Sequence, residues 1–153
     1  MAVYLVQHGY SLSKEADPEK GLSELGFSEV QMIADMVRDR NVPVSQIIHS
    51  GKKRAEQTAH IFAEELVPKE GLARMDGLNP MDDVKALAEK MDANKNAMLI
   101  GHLPFMEKLV SYLITGSVDK PVVKFQNAGV VCLDQEPERG DWFIKWTLLP
   151  VIA

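Results

Sequence analysis

Only one cysteine, Cys132, stands in the chain, so no internal disulfide can form. Its setting, the apolar run GVVCL, reads as a buried small side chain rather than a reactive thiol. Long apolar runs are also missing, since no stretch approaches the roughly 18 residues of a membrane span. Positive charge is not in excess, with 17 Lys and Arg against 22 Asp and Glu and a net charge of −5. Proteins that grip nucleic acid or an anionic membrane need a basic face, so neither is an expected partner, although a small basic pocket is still allowed. The N-terminus lacks the basic segment and long apolar core of a signal peptide, and the cytoplasm is the expected location. No internal repeat, low-complexity tract or linker interrupts the chain. What is present is an ordinary soluble composition, 46% hydrophobic and 25% charged, at a length of 153 residues that suits one domain, 1–153, with one core.

Short apolar runs alternate with longer segments of helical period. AVYLV at residues 2–6 reads as a buried strand and the polar stretch 10–22, with Pro18 and Gly21, as a loop. The segment SELGFSEVQMIADMVRDR predicts a helix capped by Ser23, with Leu25, Val30, Ile33, Ala34 and Val37 on its core face and Met32 and Met36 as core filling. SQIIH is a second strand, GKKRAEQTAHIFAEEL a second helix with Ala55, Thr58, Ala59 and Phe62 on one stripe, and GLARM a weak third strand. NAMLI is a further strand, and GHLPFMEKLVSYLITG a loop turning into a helix between Pro104 and Gly116, with Met106 also filling core. AGVVCLD and WFIKWTLL form a closing hairpin around Pro137 and Gly140. Strand–helix alternation predicts a parallel sheet with helices on both faces, and the hairpin makes that sheet mixed.

In such a sheet, ligands bind beyond the carboxyl ends of the strands. Three segments bring polar residues there: Gln7-His8-Gly9, then His49-Ser50-Gly51 with Arg54 in the next helix's first turn, then Gly101-His102-Leu103-Pro104. Two imidazoles and a guanidinium at a helix N-terminus make an anion site, because free backbone N–H groups, the helix dipole and a planar fork of donors all favour phosphate-like oxygens.

The same segments resemble the motifs of the histidine phosphatase superfamily, in its phosphoglycerate-mutase-like branch, and are most similar to those of the short bacterial phosphohistidine phosphatases. The family's Arg-His-Gly stands here as Gln7-His8-Gly9. GLSELGFSEV resembles its Leu-Thr/Ser-x-x-Gly stretch, SGKKRAEQTA its Ser-Pro-x-x-Arg-Ala-x-Gln-Thr, and IGHLP its Val-Gly-His-Asn-Pro. The resemblance implies a three-layer α/β/α sandwich whose central sheet is mostly parallel with an antiparallel edge.

It also implies a mechanism. His8 would be the nucleophile, forming a phosphohistidine that water hydrolyses, with a backbone carbonyl near Gly9 holding its tautomer and Arg54 and His102 holding the phosphoryl oxygens. Gln7, Gly9, Ser50 and Leu103 would complete the phosphate-binding loops, Gly9 by keeping a side chain away from the phosphate. No metal and no cofactor is required. The expected partner is a phosphorylated protein or a small phosphate ester.

Gln7 is the main departure, because it loses the charge of the family's arginine. One lost charge-assisted bond costs about 1.5–3 kcal/mol, or about 10- to 150-fold in rate if all of it is transition-state energy. Lys14, Lys52 and Lys53 are candidate replacement cations. Asp82 and Asp83, with Asp76 nearby, are candidate proton donors or simply helix caps. Tyr10 stands where relatives often carry an acid, and Leu103 replaces a frequent asparagine. His60 reads as a surface or satisfied core residue, and His49 points at the site or into the sheet. The leading expectation is a phosphatase. The alternative is a weak or inactive domain that binds phosphate or a phosphoprotein, and a mutase is a third reading disfavoured by the short chain.

Overall fold

The computed structural model describes residues 1–151, and one six-stranded sheet runs through it in the order β3-β2-β4-β1-β5-β6. Its strands are β1 (Val3–Gln7), β2 (Gln46–His49), β3 (Leu72–Arg74), β4 (Ala97–Gly101), β5 (Val130–Gln135) and β6 (Trp142–Leu148). The pairs β1–β4, β4–β2 and β2–β3 are parallel, while β5 runs antiparallel to both β1 and β6. The four helices are α1 (Glu24–Asp39), α2 (Lys53–Leu66), α3 (Val84–Ala88) and α4 (Phe105–Thr115).

The period of two in β1 sorts its side chains between two cores. Tyr4 and Val6 join Val30, Ile33, Ala59 and Phe62 under α1 and α2. Val3 and Leu5 join Phe105, Met106 and Leu109 under α4. The result is the expected α/β/α sandwich, with its mixed sheet closed by the hairpin β5–β6. Cys132 is buried in the first core, and burial pushes its thiol up to about 11.

Helix α1 is capped by the Ser23 side chain, which accepts from the Gly26 N–H. Its buried stripe starts at Gly26, not Leu25, which is 57% exposed. The cause is steric. A Cβ at Gly26 would lie 2.1 Å from the Tyr10 carbonyl oxygen, so the helix meets the loop that follows β1 through glycine and Leu25 turns outward. Met32 is likewise exposed rather than core filling, whereas Met106 is buried. Asp83 caps α3 by accepting from the Lys85 and Ala86 N–H groups. Among the described residues, no helix is long and apolar enough to cross a membrane.

Candidate active site

The carboxyl ends of β1, β2 and β4 lie side by side, because Gln7 pairs with Gly101 and His49 with Ile100. Each strand hands one side chain to the same place. The His8 and His102 rings are 5.0 Å apart between centroids. Arg54, in the first turn of α2, donates from Nε to His8 Nε2 over 3.3 Å.

His8 is held by its backbone on every side. Its N–H donates to the Gly101 carbonyl, Asn127 Nδ2 donates to its carbonyl oxygen at 3.0 Å, and the Ala128 N–H reaches the Gln7 and His8 carbonyls. The next N–H, of Gly9, donates to Thr58 Oγ1, whose own hydroxyl donates to the Arg54 carbonyl. Gly9 itself is required by packing, since a Cβ there would sit 2.7 Å from Val30 Cγ2, against α1. This differs from the sequence expectation that glycine serves to keep a side chain off the phosphate.

The ring of His8 shows which nitrogen carries the proton. Nδ1 lies 2.7 Å from the Gly9 carbonyl oxygen, which can only accept, so Nδ1–H donates and Nε2 keeps its lone pair toward Arg54. Burial first, then the charges of Arg54 and Lys20, push His8 down to about 4, although the Gly9 bond opposes them. The ring is therefore neutral near pH 7. His102 is pushed to about 3 by burial, the neighbouring His8, Arg54 and Lys52. Its Nε2 lies 2.6 Å from Ser50 Oγ, which also accepts from the Lys52 N–H, so the Ser50 hydroxyl proton is free to go to Nε2. With the hydroxyl donating to Nε2, the proton of neutral His102 is on Nδ1, a buried nitrogen with no partner among the described residues.

A tetrahedral anion is what this cup suits: a ring nitrogen that keeps its lone pair, a guanidinium, an N–H donor and, among the described residues, no carboxylate within it. Over nearly its whole length the chain resembles proteins of that chemistry. It is 26% identical over 156 residues to the phosphohistidine phosphatase SixA of Escherichia coli (strain K12), covering 98% of this chain and 94% of that protein. The chain is thus similar in sequence and in fold to phosphohistidine phosphatases of the histidine phosphatase superfamily. The protein histidine phosphatase SixA complexed with tungstate superposes with a TM-score of 0.84 at 24% identity, covering 98% of this chain and 97% of the other. A mycobacterial glucosyl-3-phosphoglycerate phosphatase shares the fold at a TM-score of 0.70 and 13% identity, covering 95% and 97% of the two chains. No family model matches the chain.

Around this cup the other candidates fall into distinct places. Ser50 is buried, and its hydroxyl is spent on His102. Gln7 is buried, and its Oε1 has no donor among the described residues. Leu103 and Gln7 line a pocket of about 350 Å³ beside the cup, with Tyr10, Glu29, Phe125 and Asn127. Tyr10 thus stands on a rim. Asp82 and Asp83 are engaged with backbone N–H groups and line a different pocket with Met75 and Lys90. Asp76 is exposed beside Arg74. Of the lysines, Lys53 is turned to Asp17 at 2.8 Å and Lys14 is exposed, whereas Lys52 adds its field at His102. His49 accepts from the Gly51 N–H through Nδ1 and so shapes the turn, and His60 is exposed next to Glu56. Among the described residues, no three His, Cys, Asp or Glu side chains gather as a metal site would require.

Sequence reasoning missed Thr58, Asn127, Lys20 and Glu29. Thr58 looked like one more small residue of a core stripe, and Asn127 lies in a loop without periodicity. Their roles appear only through bonds spanning 49 and 119 residues of chain.

Proposed function

We propose that the chain is a phosphatase that hydrolyses phosphohistidine on a protein through a covalent phosphohistidine at His8 Nε2. The observation that carries this reading is the tautomer lock. With Nδ1 committed to the Gly9 carbonyl, the Nε2 lone pair faces the pocket beside a guanidinium.

Nε2 attacks phosphorus, a new N–P bond forms, and the bond to the leaving group breaks with its electron pair staying on the leaving atom. The Gly9 carbonyl supports the positive charge that grows on the ring. Arg54 shifts from Nε2 to the phosphoryl oxygens, and the Nδ1–H of His102, fixed by Ser50, donates to another. Water then attacks the phosphorus on His8, the N–P pair returns to Nε2, and the water proton leaves with phosphate. A protonated imidazole departs readily, so a P–N substrate places little demand on an acid. Asp82 and Asp83, already engaged by the backbone, are not assigned that role. The likeness to a protein histidine phosphatase that binds tungstate, a tetrahedral oxyanion, supports this assignment. The binding-only reading rests on Gln7 alone and is not favoured by the orientation of His8.

The test is rapid quench into alkaline denaturant after mixing with phosphorus-32-labelled phosphohistidine protein. Label is expected on the wild-type chain in alkali-stable, acid-labile form, and none on His8→Ala, whose turnover falls by at least about a thousandfold. Phosphate release unaffected by His8→Ala would reject the mechanism.

A further inference from the structure

The pocket lined by Gln7, Tyr10, Glu29, Leu103, Phe125 and Asn127 opens beside the phosphoryl cup. Asn127 ties the two together, since its side chain donates to the His8 carbonyl. The two regions have opposite electrical character. In the cup, Arg54 touches His8 Nε2, and the fields of Lys20 and Lys52 reach the two imidazoles. In the neighbouring pocket the charged side chain is Glu29. Its Oε1 is shut off from solvent with no donor among the described residues, and Gln7 Oε1 is in the same condition. Burial raises the Glu29 carboxyl, and no salt bridge to it forms among the described residues. A half-buried carboxylate without a counter-charge is costly unless a cation or a proton arrives.

We propose, resting on the phosphatase reading above, that this pocket is the leaving-group subsite and that Glu29 is the counter-charge for a protonated nitrogen leaving group. The chain thereby selects P–N over P–O substrates. A phosphate ester presents one pole, its anionic phosphoryl group. A phosphorylated imidazolium presents two, and they match the cationic cup and the acidic pocket in order. Tyr10, Leu103 and Phe125 give the pocket apolar and aromatic walls suited to a flat cationic ring.

The step balances without an acid. As the His8 Nε2–P bond forms, the substrate P–N bond breaks and its pair stays on the leaving nitrogen. The other ring nitrogen keeps its proton, so neutral imidazole departs. Glu29 favours the protonated ring before bond breaking. It also explains Gln7, because an arginine at position 7 would neutralise Glu29 from within the protein and cancel the selection.

The experiment compares kcat/KM for a phosphohistidine peptide and for phenyl phosphate in wild type, Glu29→Gln and Glu29→Asp. Glu29→Gln is expected to lower the phosphohistidine value at least tenfold more than the phenyl phosphate value. Glu29→Asp, which keeps the charge, is expected to recover most of that ratio and so separates charge from packing. Equal effects of Glu29→Gln on both substrates would overturn the proposal, as would a ratio that Glu29→Asp fails to recover. His8→Ala is run alongside. Turnover that survives it defeats the parent mechanism, whereas turnover that depends on His8 but ignores Glu29 defeats only the subsite. If wild type turns over neither substrate, calorimetry decides. Tighter binding of the phosphohistidine peptide than of phenyl phosphate, lost in Glu29→Gln, upholds the subsite, and equal binding overturns it.

Discussion

Around His8, the backbone from Gln7 to Gly9 is bonded to Gly101, Thr58, Asn127 and Ala128, the Nδ1 proton is assigned to a carbonyl, and Ser50 orients the second imidazole. In the adjoining pocket, on the Gln7 and Glu29 side, two buried oxygens have no donor among the described residues. An unpaired buried polar atom costs about 1–3 kcal/mol, whereas a satisfied network fixes its members in place. The contrast separates two tasks. Groups that must stand ready before substrate arrives are bonded within the protein. The groups proposed to recognise substrate carry an unfavourable state that a ligand can relieve. His102 Nδ1 belongs with the second set although it sits in the first region, which fits its proposed contact with the phosphoryl oxygens.

The largest effect that breaks this contrast, short of removing His8, comes from Arg54. Arg54→Ala removes the guanidinium from the cup while leaving the backbone clamp at Gly9 and Thr58 intact. Turnover is expected to fall by about 10²–10³-fold, with thermal stability changed little, because the lost group stabilises charge that develops during transfer. Single-turnover kinetics checks this. A fall in the phosphorylation step with an unchanged melting temperature sustains it, and an unchanged rate would move the charge stabilisation elsewhere.

The convergence of His8, Arg54 and His102 was legible in the sequence because each sits where a strand or helix end is marked by a run of apolar residues, and a motif ties the ends together. The sheet was legible for the same reason, since its strands alternate or run apolar between turn residues. Legibility ended where a residue's meaning lies in a partner far along the chain. Ser50 read as a phosphate ligand, but its hydroxyl is taken by a ring 52 residues away. Glu29 read as an unremarked polar position, since nothing in the period of α1 shows that it is half-buried in a pocket it lines with Gln7. Leu25 followed the helical period, yet Gly26 and the Tyr10 carbonyl decide which way that turn of the helix faces.

A middle-sized effect comes from acid. Both rings are held below their ordinary value of 6.5, His8 to about 4 and His102 to about 3, with burial the first cause of each. Between 6.5 and those values the unfolded chain binds protons that the folded chain refuses, so stability is full above pH 6.5 and declines as pH falls. The slope approaches about 1.4 kcal/mol per pH unit for each ring. Urea unfolding in phosphate-free buffers from pH 7 to pH 4.5 checks the sign, and replacing either histidine by glutamine is expected to flatten the slope. Stability that rises on acidification would contradict the buried, neutral rings.

The smallest expected effect sharpens the contrast from its other side. Gln7→Arg places a guanidinium in the same pocket as Glu29, so the recognition region becomes internally paired like the region around His8. Relief of a charged, half-buried acceptor is worth about 1–3 kcal/mol gross, less the cost of fitting a longer side chain at a position that is 8% exposed. The melting temperature is therefore expected to rise by a few degrees at most. The added cation lies next to the cup, so turnover of phenyl phosphate is expected to rise severalfold while that of a phosphohistidine peptide rises less or falls. Kinetics on the two substrates in this one variant distinguishes a glutamine that only weakens catalysis, for which both rates would rise together, from a glutamine that keeps Glu29 available to a cationic leaving group.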